Sequence, residues 1–164
     1  MDLALIAAIS DNNVLGKQNK LIWHLPDDWN NFREITGDAP FIMGRKSYES
    51  EDRLLSPGEN YVLTSKPLIL PEPNCKAFTS YELAIKELSE EEIVFVTGGA
   101  SVYKQCIDKA NLLYLTLVHH EFRGDAFFPE INWEEWEELD SIYHPKDDEH
   151  AYDFHMNEYE RKSG

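Results

Sequence analysis

Two stretches of the chain, FIMGRKSYES and VFVTGGASVY, share one construction. A short apolar strand runs through glycine straight into a helix. Such turns belong to parallel α/β sheets, where ligands gather at the carboxyl ends of strands and the helix N-termini that follow. The rest of the chain repeats the alternation. Leu3 to Ile9 is an unbroken apolar run, consistent with a strand buried on both faces. SDNNVLGKQNK is a long polar connection, of a length that is often functional. Pro26, Asp27 and Asp28 open a helix that Gly37 ends. NYVLTS reads as a strand, and KPLILPEPNC, with its three prolines, as an extended connection. SYELAIKEL has helical periodicity with Ser80 as its cap, and NLLYLTLVHHEF is again a strand. From Arg123 the pattern changes. GDAFFPEI is a turn-rich connection, and WEEWEELDSIYH and AYDFHMNEYER read as two antiparallel strands joined by PKDDEH. The expected architecture is a single α/β domain over residues 1–164, with a largely parallel sheet and an antiparallel C-terminal edge.

Bulk properties narrow the function. A chain of 164 residues is one domain by default, and no apolar run approaches a membrane span. The opening MDLALIAAIS has no basic segment ahead of its short apolar run, so it reads as a first strand and not as a secretory leader. Fifteen basic against 31 acidic residues give a net charge of −16. That argues against nucleic acid and anionic membranes as partners, while a few local cations can still hold an anionic ligand. Cys75 and Cys106 lie far apart, as two free thiols in a reducing cytoplasm would. The six histidines show no metal-ligand spacing. His119 and His120 are adjacent and face opposite sides of a strand, while His144, His150 and His155 are scattered through the acidic tail, so no metal is expected.

Four places could carry chemistry. Arg45 and Lys46 add charge suited to a phosphate at the first turn, and Gly98-Gly99 lets backbone approach a ligand at the second. Neither turn has the G-x-G-x-x-G or P-loop fingerprint, so a plain tight turn and a phosphate-bearing cofactor both stay open. Leu63 to Lys66, LTSK, ends another strand with two hydroxyls and a cation, which an ordinary strand end also explains. Asp27 and Asp28 could both serve the helix dipole at the surface. Helical phase separates them: Asp28 shares a face with Phe32 and Ile35, and Asp27 goes with Asn30, Asn31 and Glu34. A carboxyl among apolar partners has a raised pKa and can serve as the acid of a site.

At this point the motifs match a known family. LIAAISDNNVLGKQNKLIWHLPDD, FIMGRKSYES, VTGGASVY, LYLTLV and GDAFFPE occur in the order found in dihydrofolate reductase, and the resemblance covers essentially the whole chain. It implies a three-layer α/β fold with a central eight-stranded, mostly parallel sheet, an antiparallel C-terminal edge strand and about four flanking helices. It implies a cytoplasmic, monomeric oxidoreductase of tetrahydrofolate biosynthesis, of the kind antifolates target. The reaction would be NADPH-dependent reduction of 7,8-dihydrofolate, with hydride transfer to C6 and protonation at N5.

Carried over by motif, Asp28 is similar to the carboxylate that holds the pterin's N3 and 2-amino group and supports protonation at N5, with Thr116 linked to it. Trp23 and Leu21 resemble the mobile loop that closes over the nicotinamide, with Gly16 and Asn19 earlier in that loop. Ile6, Ala8, Phe32 and Leu55 match the pterin pocket, and Ala8 also borders the cofactor. Gly44, Arg45, Lys46 and Ser47 resemble cofactor phosphate contacts, joined by Leu63, Thr64, Ser65 and Lys66, with Arg45, Thr64 and Ser65 nearest the 2′-phosphate. Thr97, Gly98, Gly99, Ala100, Ser101 and Val102 resemble the pyrophosphate turn, often built on a cis Gly-Gly bond. Tyr103 would flank the nicotinamide, and Asp125 matches the acid that braces the closed loop.

One segment departs from the family pattern. Between Ser50 and Asn60 the family has an apolar residue in the pterin pocket and, some seven positions on, an arginine for the substrate's glutamate tail. Here the segment reads SEDRLLSPGEN, with Glu51 near the first position and Gly58 or Glu59 at the second. Ile22 replaces a proline common before the tryptophan. Weak binding of the folate tail is the expectation. Other readings are a same-fold reductase of another pterin or pyrimidine, and a non-catalytic NADPH-binding protein.

Overall fold

In a computed structural model, which describes residues 1–66 and 69–163, the apolar runs pair into one eight-stranded sheet. The strands in chain order are β1 (Asp2–Ser10), β3 (Phe41–Gly44), β4 (Asn60–Leu63), β5 (Cys75–Phe78), β6 (Ile93–Gly98), β7 (Leu112–Val118), β9 (Trp136–His144) and β10 (Phe154–Arg161). Their order across the sheet is β5-β4-β3-β6-β1-β7-β10-β9. The pairs from β5 to β7 are parallel, and β10 is antiparallel to both of its neighbours. The four α-helices among the described residues are α1 (Pro26–Thr36), α2 (Arg45–Glu49), α3 (Tyr81–Glu87) and α4 (Ala100–Cys106). None is long and apolar enough to cross a membrane.

β1 shows why the first apolar run is unbroken. Leu3, Leu5 and Ile9 face one core cluster with Val94, Val96 and Leu113, while Ala4 and Ile6 face another with Phe41, Met43 and Phe95. Helices cover both faces, so neither set can be polar. Ser80 caps α3 through a hydrogen bond from the Leu83 N–H, 3.2 Å. Gly37 ends α1 at φ +52°, a conformation open to glycine.

Three short strands depart from the sequence reading. The polar connection after β1 contains β2 (Val14–Gly16), which pairs with β8 (Ala126–Phe127) inside the expected turn-rich segment. The proline-rich stretch ends in β5, which begins at Cys75. Its Pro67 and Leu68 lie outside the described residues. Strands of two to four residues are too short to show a period, and their pairing is set by the neighbouring strand.

Candidate active site

A cleft of about 250 Å³ opens at the carboxyl ends of β1, β3, β6 and β7. The parallel register brings these ends together: Ala8 lies beside Thr116, and Met43 beside Gly98. α1 forms one wall. Asp28, Phe32 and Ile35 line the cleft from one helical face, while Asp27 is exposed.

The Asp28 carboxyl accepts a hydrogen bond from the Thr116 hydroxyl. Burial pushes its pKa up from 3.8 to about 6; the Thr116 hydrogen bond and the nearby His150 pull the other way. The cleft therefore holds an acid that titrates near neutrality, with one oxygen fixed by Thr116 and the other left for a ligand. A planar amidine-like group of two N–H donors fits a carboxylate fork.

The opposite wall is the β6–α4 turn. Gly98-Gly99 is cis, and Gly98 sits at φ +121°, where side chains are strained. A Cβ on Gly99 would lie 3.3 Å from the Ser47 hydroxyl, a tight contact that glycine avoids. Thr97, Gly98, Gly99, Ala100 and Ser47 all reach the cleft. Tyr103 lines it too, held by a hydrogen bond from its hydroxyl to the Ile6 carbonyl, 2.6 Å. Gly44 pairs with Leu63 in the sheet, which sets Arg45 beside Thr64 and Ser65 at adjacent strand ends. Bare backbone, hydroxyls and a cation in a row suit a ligand with a pyrophosphate and a further phosphate. Arg45 is half-exposed and ion-paired with Glu49, so an anion must compete for it.

Two loops close the cleft. Trp23 is buried against Leu25, Val118 and Phe154, with the Phe122 ring 5.2 Å away. Leu21 and Asn19 reach the cleft, as does Gly16. Asp125 accepts from the Gln18 N–H at 3.0 Å and donates its own N–H to the Gly16 carbonyl at 3.1 Å, bracing this loop from outside. The departing segment grips the same loop. Asp52 accepts from the Leu21 N–H at 2.8 Å, Ser50 donates to the Asn19 carbonyl at 2.7 Å, and Glu51 pairs with Lys20 at 3.2 Å.

Several expected residues do not reach the cleft wall. Leu55 packs with Phe32 and Ile35 against the core, and its neighbour Leu54 lines the cleft in its place. Gly44, Arg45, Lys46, Leu63, Thr64, Ser65, Lys66, Ser101, Val102 and Asp125 stand outside the central cavity. Lys46 is exposed and offers its carbonyl to Asn19 Nδ2, and Val102 is buried in the core. Gly58 proves a demanding glycine: a Cβ there would sit 2.2 Å from the Asp38 carbonyl oxygen. Arg53 does line the cleft, but its guanidinium is engaged by Glu72 at 2.8 Å and the Tyr48 carbonyl at 3.0 Å. Trp29 and Asp52 also line the cleft, and no signal in the sequence pointed to them. Trp29 follows Asp28 directly in α1, and only the distant hairpin places His150 beside that helix.

The dihydrofolate reductase family model matches residues 2–161. The chain belongs to the dihydrofolate reductase family. It is 39% identical to the dihydrofolate reductase of Haemophilus influenzae over 93% of this chain and 94% of the relative. It is 38% identical to that of Bacillus subtilis, over 98% and 95%. The fold superposes on a dihydrofolate reductase from Enterococcus faecalis complexed with NADP(H) and RAB-propyl, with a TM-score of 0.90 at 34% identity, covering 99% of this chain and 97% of that one. The family's cofactor is NADPH, and the bare backbone of the glycine turn, lining the cleft beside Ser47, fits such a dinucleotide.

Proposed function

We propose that this chain reduces 7,8-dihydrofolate to 5,6,7,8-tetrahydrofolate, and that Asp28 is the residue on which the reaction turns. The observation that carries the assignment is the Asp28–Thr116 pair at the back of a cleft whose facing wall is the Gly98-Gly99 turn. Asp28 holds the pterin through its 2-amino group and N3, and Phe32, Ile6 and Ala8 sandwich the ring. The 97–102 turn and the Arg45 end of the cleft would hold NADPH, which when bound would supply the hydride for C6. The proton that completes the reduction enters at N5. Asp28 favours it, because a carboxyl with a pKa of about 6 shares a proton with ring and water near neutral pH. Trp23 and Leu21 exclude bulk water from the nicotinamide end, and Thr116 keeps the carboxyl in plane. Arg45, Thr64 and Ser65 take the 2′-phosphate, and the 97–102 turn takes the pyrophosphate.

The protein acts as a single-domain monomer in a reducing cytoplasm, which suits its two buried free thiols, Cys75 and Cys106. Light scattering on the purified chain tests the monomer. A same-fold reductase of a tail-less pterin is a second reading, favoured by Gly58, whose backbone leaves no room for a side chain. The deciding experiment follows NADPH oxidation against dihydrofolate concentration. Saturable turnover supports the assignment. Folded, NADPH-binding protein without turnover refutes it.

A further inference from the structure

A second polar cluster stands apart from the residues that line the cleft. It joins the start of α1, the end of β9 and the connection to β10. One ligand-capable atom each from Asp27, His144 and His150 lie within 4.8 Å of one another. His144 Nε2 is 2.7 Å from Asp27 Oδ2, and His150 Nε2 is 3.9 Å from the same oxygen. Each ring is oriented by its other nitrogen. His144 Nδ1 lies 2.7 Å from the Pro145 carbonyl, and His150 Nδ1 lies 2.8 Å from Asp147 Oδ1. Both partners are acceptors, so Nδ1 carries the proton in each ring. Nε2 of each ring is turned into the cluster, where that of His144 donates to Asp27 Oδ2 and that of His150 accepts from the Asp27 N–H, so a metal ion would replace a proton at the first and a hydrogen bond at the second. Metal-ligating histidines are oriented in this way, by a carbonyl or carboxylate on the far nitrogen. Packing adds stiffness: the His144 ring stacks on Phe154 at 4.6 Å and 11°, and His150 is 1% exposed.

We propose that Asp27, His144 and His150 form a binding site for a borderline divalent transition-metal ion, Zn²⁺ foremost. Two imidazoles and a carboxylate suit zinc and its neighbours, and are too rich in nitrogen for magnesium or calcium. Zinc–ligand bonds of about 2.0–2.1 Å place tetrahedral donors about 3.3 Å apart. The separations of 2.7 and 3.9 Å bracket that value. Water completes the shell, or Asp147 Oδ2, which lies 4.0 Å from His144 Nε2. Binding displaces the hydrogen bond from the Asp27 N–H to His150 Nε2, 3.1 Å, and sets a cation near the positive end of α1. Against this stand the carboxylates of Asp27 and Asp147 and a net charge of −16. The spacing of these residues along the chain hides the site, because its three ligands come from three segments.

Zn²⁺ titration of the whole chain by calorimetry, and Co²⁺ titration followed by visible absorption, test the proposal. One ion per chain is expected. His144→Gln and Asp27→Asn should each weaken binding by about tenfold or more. His155→Gln, in the separate His119–His155 pair, should leave it unchanged. In the unmodified chain, Zn²⁺ should shift the imidazole NMR signals of His144 and His150 and spare those of His119 and His155. That readout stands even where a variant fails to fold. The absence of saturable binding, binding that survives both substitutions, or shifts confined to His119 and His155 would each overturn the proposal.

Discussion

The Gly98-Gly99 turn and the 50–60 segment border the same cleft and meet it differently. At the glycine turn the backbone itself forms the wall, and the absence of side chains is what makes room for a ligand. At the 50–60 segment Ser50, Asp52, Arg53 and Leu54 line the cleft, but the polar side chains among them spend their hydrogen bonds on the protein. Ser50, Glu51 and Asp52 hold the 19–21 loop, and Arg53 is held by Glu72 and Tyr48. Gly58 resembles the glycines of the turn in tolerating no Cβ, but its close neighbour is the Asp38 carbonyl and not an open cavity. One glycine site lines the cleft and the other serves packing. At one end backbone and hydroxyls are left free along the cleft, and at the other the polar groups are already paired within the protein.

The largest effect should come from the acid between these two ends. Asp28→Asn should lower kcat by about 100-fold or more while leaving NADPH binding intact. Wild-type hydride transfer should fall as pH rises through about 6, where the Asp28 carboxyl loses its proton; stopped-flow pH profiles check both. The same substitution should stabilise the fold. A carboxyl whose pKa is raised on folding favours the native state below about pH 4, and that contribution is lost as pH rises through about 6. At pH 8 Asp28→Asn should therefore be more stable than wild type by about 3 kcal/mol, and at pH 4 the two should converge, as denaturant titrations would show.

Next in size, Gly98→Ala should reduce NADPH affinity by about tenfold or more, since it strains φ +121° and crowds Ser47 and Tyr103. Fluorescence titration with NADPH measures this, and unchanged affinity would break the contrast drawn above. Gly58→Arg should cost about 2 kcal/mol of stability without lowering the KM for dihydrofolate, because the Asp38 carbonyl blocks its Cβ. An improved KM would show that the tail site is merely missing its arginine. A contact of that kind is worth about 1.5–3 kcal/mol. Without it, dihydropterin lacking the tail should be turned over with a KM close to that of dihydrofolate, and a low micromolar KM for dihydrofolate alone would contradict the reading. The smallest effect should be that of Asp52→Asn, which weakens the hold on the Leu21 N–H and should change kcat by about two- to fivefold.

Much of this was legible in the residues. The apolar runs, the prolines, the caps and the glycine turns fix local conformation through sterics and hydrogen bonding within a few neighbours, so α1, β6 and α4 can be read from their own sequence. The phase of Asp28 against Phe32 and Ile35 belongs to the same class. Strands β2, β5 and β8 were not legible, because segments this short without the apolar run of β3 or β4 carry no local signal and take their partners from distant chain. The same holds for Leu54 replacing Leu55 at the cleft, where a loop's direction and not its composition decides which neighbour faces inward.

By itself, then, the sequence determined the alternation of strand and helix, the inward face of α1 and the glycine-lined turn. Only the tertiary structure decided what those elements meet. It paired Asp28 with Thr116, 88 positions away, and raised its pKa by burial. It also closed Asp27, His144 and His150 into one cluster. The physical reason is that desolvation and convergence of ligands depend on which surfaces exclude water together, and no local stretch of chain contains that information.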